Sequence, residues 1–405
     1  MTAKVTIIGA GFSGLTLAHY LLEQGAQVEL HERSGRCGGL LSSPGSGHGF
    51  YETAANALMA SRRAKALFDS LGLERLEPLK ASRKRFIWRG RPRRWPLGPG
   101  ESLGFISRLL WKMAADRKSF HPRPGETLAE WGQRNLTPAT RHYLLETVLQ
   151  GIYGAQVADL SASLVLGRFF VKGRERVLGQ IAPRQGMQGL ISALEQSLKQ
   201  RGAAFHFHSE GPRLPLADSS PAVLCLKASE AAARLSQDDP ESSRLLRQVR
   251  MHDKTAVTVF YDSFPKASRR YNGFGTLVPP GREAELPLGV LMNSFIFAGR
   301  DQAYNENWIF SAQGQQRLLG LDEAGQRESI LKAREEIFGE RLPIAEIKLT
   351  HWAPALPIYD LALERVLGQL KPKPGIHLHG NWLGLLGLSG ILDRSAWLAQ
   401  ELAHA

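Results

Sequence analysis

Lys4-Val5-Thr6-Ile7-Ile8-Gly9-Ala10-Gly11-Phe12-Ser13-Gly14, with Glu32 eighteen residues beyond Gly14, is the stretch that decides the fold. Its β-branched run predicts a strand over Lys4 to Ile8, its three glycines a turn, and the residues that follow a helix over Ser13 to Gln24. Gly25 then turns the chain into a second strand, Gln27 to His31, so the segment reads as a βαβ unit. GxGxxG between strand and helix permits a tight turn, close approach of backbone to a pyrophosphate, and a helix N-terminus facing its charge. Ala18 supplies a small side chain where helix and strand pack closely. Glu32, ending the second strand, is placed to accept hydrogen bonds from ribose hydroxyls. The unit predicts dinucleotide binding.

Met1 to Ala18 superficially imitates a signal peptide, but the glycine spacing favours strand, turn and helix. No other apolar run is long enough to span a bilayer, so the expectation is a cytoplasmic protein without a spanning helix. At roughly 150 residues per domain, 405 residues suggest two or three domains. Hydrophobic residues at 43% and charged residues at 22% are globular values, which exclude a disordered chain or small scaffold. A net charge of +13 favours polyanions, anionic lipid or carboxylate-bearing substrates. No nucleic-acid module accompanies that charge, so nucleic acid is not an expected partner. Two cysteines, Cys37 and Cys225, exclude a disulfide framework.

Further along, Ala60 to Leu73 reads as helix. Arg83, Lys84, Arg85, Arg89, Arg91, Arg93 and Arg94, interleaved with Phe86, Trp88 and Trp95, read as a hairpin or extended loop because Pro92 and Pro96 exclude a helix. Residues 99–182 look mostly helical, with Thr127 and Glu130 spaced as a capping box. Met187, Leu190, Ile191, Leu194 and Leu198 mark one buried helical stripe. Ala204 to His208 and Ala222 to Leu226 are short strands. Thr255 to Tyr261 alternates with period two and opens an antiparallel region running to about residue 349. Residues 375–405 echo the N-terminus: strand, glycine-rich turn, helix.

Glu32, Arg36, Gly38 and Gly39 form an ExxxRxGG run that resembles the second signature of the flavoproteins that include amine oxidases, carotenoid desaturases and porphyrinogen oxidases. Further blocks resemble the protoporphyrinogen and coproporphyrinogen oxidases in particular: Gly151-Ile152-Tyr153-Gly154 with Asp159-Leu160-Ser161, Gly273 to Pro279, Gly289 to Ser294, Phe297 to Arg300, and Gly380-Asn381 with Gly384 and Gly387. They occur in the family's order across nearly the whole chain. The resemblance implies an α/β protein: a Rossmann-like FAD-binding domain (1–78, 183–250 and 371–405), a mixed-sheet substrate domain (79–98 and 251–370), and a helical insertion (99–182) by which relatives attach to membranes. It implies that FAD runs along Gly9, Gly11, Phe12, Ser13 and Gly14, then Glu32 and Arg33, then Arg36, Gly38, Gly39 and Leu40. Asn56, Asn381, Leu386, Gly387 and Leu388 would lie near the flavin ring. The family's pattern is broken at Ala54-Ala55, where Gly-Pro is usual, at Ala362-Leu363, and at Arg394-Ser395. An antiparallel insertion usual between Phe207 and Val223 is largely missing.

The activity so implied is oxidation of a porphyrinogen, protoporphyrinogen or coproporphyrinogen, to the porphyrin in haem biosynthesis, with oxygen or a quinone as acceptor. The cofactor carries the redox chemistry, and no side chain is assigned as catalytic acid or base. Arg85, in the family's RFxxxxGxxxxxP stretch, would clamp a substrate carboxylate. The neighbouring arginines read as a solvated hairpin. Met292 either packs on a pyrrole face or belongs to the core. Phe105, Ile106, Leu109, Leu110, Trp111 and Met113 lie among Arg108, Lys112, Arg117 and Lys118, which suits a helix at the inner face of a membrane and equally one packed on its own core. His206 with His208, and His377 with His379, each share a strand face, but no carboxylate or cysteine completes a metal set at suitable spacing. The rival readings are an FAD-dependent amine oxidase or isoprenoid desaturase, and a non-catalytic flavin- and tetrapyrrole-binding protein.

Overall fold

The computed structural model describes residues 4–404 except 116, 172–174, 176, 178, 217–219, 301, 385 and 386. β1 (Lys4–Ile8), α1 (Phe12–Glu23) and β2 (Gln27–Glu32) form the expected opening unit. They belong to a five-stranded parallel sheet ordered Ala204–Phe207, β2, β1, Ala222–Leu224, Ile376–Leu378. Strands from three distant parts of the chain thus build one nucleotide-type sheet. On one face α1, Gly186–Gln200 and Leu388–His404 bury Leu15, Leu17, Leu21, Leu194 and Leu392. Each such leucine contributes roughly 1.5–3 kcal/mol. On the other face, Ala228–Arg234 and Pro240–Leu246 cover Ile8, Leu224 and Leu378.

A buried polar relay ties the ends of this region together. Thr16 Oγ1 and Ser395 Oγ are 2.8 Å apart, and Ser395 Oγ lies 2.8 Å from His379 Nε2. Burial, aided by Arg394, pushes His379 down to about 3, so it is neutral at physiological pH. Arg394-Ser395, a departure from the family's pattern, therefore supplies a structural hydrogen bond.

The second sheet has seven strands, ordered Ile344–Pro357, Met251–Tyr261, Asn305–Ile309, Gly289–Leu291, Gly275–Leu277, Arg85–Trp88, Pro92–Arg93. Neighbours are antiparallel except Gly275–Leu277 with Arg85–Trp88, so the sheet is mixed. The basic run is a hairpin, as expected. The alternation expected at Thr255 to Tyr261 is not matched by its burial, because every residue from Val257 to Tyr261 is buried. The strand is central and covered on both faces. Part of that cover comes from Ala312–Leu319 and Glu323–Phe338, two helices inside the region expected to be antiparallel strand.

The described residues between 99 and 170 are mostly helical, and Thr127 with Glu130 forms the expected capping box. Gln180–Pro183, at the end of the stretch expected to be helical, is instead a strand between Leu58–Met59 and Arg75–Leu76. The helix Pro99–Ala115 has no buried residue.

Candidate functional site

A cavity of about 1200 Å³ runs from the C-terminal edge of the parallel sheet to the face of the mixed sheet. Its nucleotide-side wall is local sequence made spatial. The α1 residues Phe12 and Ser13 and their N-cap Gly11 line it, and Gly11 offers no side chain to the free N–H groups of the first turn, which leaves them open to an anion. Gly9 (φ +103°) turns the chain where a Cβ would lie 2.5 Å from the Cys225 carbonyl oxygen. Gly14 does not line the cavity; a Cβ there would collide with the Gly9 carbonyl, so this glycine lets helix pack on strand.

Glu32 is oriented by its own chain. Oε2 accepts from Ala10 N at 2.9 Å and Oε1 from Ser34 N and Oγ at 2.8 Å, which leaves lone pairs towards the cavity. Arg36 closes its loop by donating to Gly39 O at 2.7 Å and Cys37 O at 3.2 Å. Gly38 and Gly39 can then lie against the first turn, with Gly38 N donating to Ala10 O at 2.9 Å. A Cβ on Gly39 would come 3.3 Å from Gly11 Cα, so the two turns make a narrow cradle. A free helix terminus, an oriented carboxylate and a bare glycine groove on one long cavity fit the pyrophosphate, ribose and length of FAD.

Most predicted residues converge here: Gly9, Gly11, Phe12, Ser13, Glu32, Arg33, Arg36, Gly38, Gly39, Leu40, Asn56, Asn381, Gly387 and Leu388 line the one cavity, as do Ala54 and Ala55. Leu386 lies outside the described residues. Arg85 is not in the cavity wall; its guanidinium carbon sits 4.5 Å over the ring of Phe274, which is. Of the two placements expected for Met292, the substrate face is corrected and the core stands: it is fully buried behind the mixed sheet. Strand alternation is the cause, since its neighbours Leu291 and Asn293 face the cavity.

Around the expected Asn56, the lining residues Asn293, Asn307, Trp352 and Lys254 were not anticipated. Asn56 Nδ2 donates to Asn293 Oδ1 at 3.2 Å and Asn307 Nδ2 to Asn56 Oδ1 at 3.1 Å, a network completed by Thr258 Oγ1 donating to Asn307 Oδ1 at 2.8 Å. The alternation in Asn305-Glu306-Asn307 was the available signal. Beneath it Glu52 accepts from Ser43 Oγ at 2.7 Å and Met187 N at 2.9 Å and pairs with Arg300. Burial pushes the Glu52 carboxyl up against the opposing pull of Arg300. Trp352, donating Nε1 to Thr53 O at 2.8 Å, and Lys254 complete the wall.

Glu29 and His31 join His206 in a cluster, so the fold supplies the carboxylate that sequence spacing lacked. The two imidazoles stack at 4.6 Å and 15°, which sets their in-plane lone pairs side by side instead of converging on one ion.

Fold and site define an FAD-dependent oxidoreductase. Residues 12–235 match the family model described as flavin containing amine oxidoreductase, and the chain belongs to that family. It is 24% identical to the mitochondrial protoporphyrinogen oxidase of Nicotiana tabacum, over 96% of this chain and 92% of the relative. It is 22% identical to the coproporphyrinogen III oxidase of Staphylococcus aureus, over 52% of this chain and 54% of the relative. Among solved structures, a putative protoporphyrinogen oxidase from Exiguobacterium matches with TM-score 0.76 and 17% identity, covering 100% of this chain and 99% of that one. Cyclohexylamine oxidase from Brevibacterium oxydans matches with TM-score 0.75 and 17% identity over the same shares. Structural likeness is thus equal for the two chemistries and shows the fold alone.

Proposed function

We propose that the protein oxidises a porphyrinogen to the porphyrin in haem biosynthesis, with oxygen as acceptor. The observation that carries this over an amine substrate is the charge of the cavity. Its carboxylates, Glu32, Glu210, Glu230 and Asp238, belong to the nucleotide side, whereas the lining contributed by the mixed sheet carries amides, apolar groups and a lysine but no carboxylate among the described residues. Such a wall suits an acid-bearing macrocycle better than an ammonium. The end-to-end likeness to a protoporphyrinogen oxidase supports the same choice.

FAD, when bound, supplies the two-electron oxidising chemistry, applied three times to complete the macrocycle. The chain's part is to hold and orient. The N-terminus of α1 would face the pyrophosphate, Glu32 the ribose, and Arg36, Gly38, Gly39 and Leu40 the length of the cofactor; Asn56, Asn381, Gly387 and Leu388 would flank the ring. Arg85 would hold a carboxylate at the rim beside Phe274. The test is anaerobic mixing of purified holoenzyme with each porphyrinogen, followed by flavin absorbance and porphyrin fluorescence. Bleaching with porphyrin formation is expected; bleaching by a primary amine alone would move the protein to the amine oxidases, and binding without bleaching would make it a carrier.

We also propose that this activity takes place at an anionic membrane surface. Leu103 (69% exposed), Leu110 (60%) and Trp111 (59%) project from Pro99–Ala115, with Trp95, Phe169 and Val171 also exposed. The exposed Arg91, Arg93 and Arg94 flank Trp95. No described helix is long and apolar enough to cross a membrane. Binding to vesicles of anionic but not zwitterionic lipid, lost on Leu110→Ser with Trp111→Ser, is the expected result.

A further inference from the structure

The register of the mixed sheet assigns a face to each of its side chains. Arg85 pairs with Gly275, Gly275 with Leu291, Leu291 with Asn307, and Asn307 with Thr258. Paired residues share a face, so Arg85 stands in one row with Leu291 and Asn307, both of which line the cavity. On the strand Met251–Tyr261, Lys254 and Ala256 fall on the same face as Thr258. The alternate residues have partners of their own, although Thr255 and Val257 also reach the cavity: Thr255 Oγ1 lies 3.0 Å from His351 Nδ1, and the Asp253 carboxylate lies 3.9 Å from His351 Nε2.

Lys254 therefore lines the cavity. Its strand and that of Arg85 are four strands apart, about 19 Å at the usual spacing. Among the described residues the Lys254 ammonium has no ion pair and no hydrogen bond. Burial alone lowers it, to about 8. Its ammonium end is admitted by a glycine: a Cβ on Gly154, the left-handed cap of the helix Thr147–Tyr153, would fall 2.9 Å from Lys254 Cε. A cation kept half-buried at a cavity wall without a partner lacks an anion that the chain does not provide.

We propose that Lys254 is a second carboxylate post, receiving an acidic side chain of the macrocycle at the end of the cavity away from Arg85. The assignment rests on the porphyrinogen reading and extends it: acidic groups held at two ends require a propionate on opposite sides of the ring, as in coproporphyrinogen, and not the single acidic edge of protoporphyrinogen. A lone lysine in a strand is invisible to motif comparison, and only the register brings it to the site.

The test uses purified holoenzyme with Lys254→Met, Lys254→Gln and Lys254→Arg. Binding of protoporphyrin and coproporphyrin is followed by absorbance titration, and KM for both porphyrinogens by porphyrin fluorescence. The two neutral variants should weaken coproporphyrin binding by about tenfold, with a smaller effect on protoporphyrin, and raise KM for coproporphyrinogen by a larger factor than kcat falls, whereas arginine, which keeps the charge, should restore most of the affinity. If wild-type enzyme binds and oxidises porphyrinogens and the neutral variants match it in affinity and KM, the Lys254 assignment is wrong and the substrate reading stands. If wild-type enzyme neither binds nor oxidises them, both fall.

Discussion

The two faces of the seven-stranded sheet treat charge in opposite ways. On the face packed by helices, Glu306 and Arg334 are fully buried and paired at 3.4 Å. Tyr261 and Tyr304 donate to Glu306 at 2.6 Å, Trp308 Nε1 at 3.3 Å, and Arg334 donates to Glu340 O at 2.6 Å; only Arg334 Nε lacks a partner. On the face towards the cavity, Lys254 has no such company. A charge sealed with its partners holds the fold together, whereas a charge left without one is available to a ligand.

The sharpest way to break that contrast is to remove one member of the sealed pair. Arg334→Ala leaves the Glu306 carboxylate uncompensated and should cost about 3–5 kcal/mol by urea unfolding of the holoprotein. A loss below about 1 kcal/mol would mean that the tyrosines and tryptophan alone satisfy Glu306. On the cofactor side, Gly14→Ala forces α1 away from Gly9 and should lower flavin retention by about tenfold, read as the ratio of flavin to protein absorbance after dialysis. Full yellow protein from that variant would show that the turn tolerates displacement.

A subtler probe of the sealed face is acid. Burial would raise the Glu340 carboxyl, but hydrogen bonds from Ser268 Oγ (2.5 Å) and from the N–H groups of Ser268, Ala267 and Lys266 (2.9–3.1 Å) outweigh it and hold it down to about 2. A depressed carboxyl contributes stability that is complete above its unfolded value near 4.5 and lost as pH falls through about 2. Wild type should therefore exceed Glu340→Gln in stability at pH 6 and converge with it between pH 4.5 and 2. Parallel curves across that interval would remove Glu340 as the cause.

What could be read in the sequence follows the range of the interactions involved. β1, α1 and β2 were legible because glycine spacing and β-branched runs act over a few residues. The helix Gly186–Gln200 was legible because its stripe recurs every turn. Ala312–Leu319 and Glu323–Phe338 were missed although Ser311 and Asp322 cap them, accepting from Gly314 N and Gly325 N. Period two failed over Val257–Tyr261 because tertiary cover on both faces erases alternation. Met292 was misplaced for want of one parity step, and Lys254 went unnoticed because its side of the strand depends on partners more than 40 residues away, such as Asn307 opposite Thr258.

Arg85 offers the mildest perturbation of the fold. Its side chain is exposed, and its guanidinium stacks over Phe274 at 4.5 Å, so Arg85→Ala should change stability by less than about 0.5 kcal/mol. It should leave flavin content intact, in contrast to Gly14→Ala. If the guanidinium holds a substrate carboxylate, the same variant should weaken porphyrin binding by about tenfold, and the loss should shrink as salt rises because the site is at the rim. Lys254 lies deeper, so the effect of Lys254→Met should depend less on salt. Equal salt dependence of the two variants would place both groups in the same solvent and undo the distinction between a rim post and a buried one.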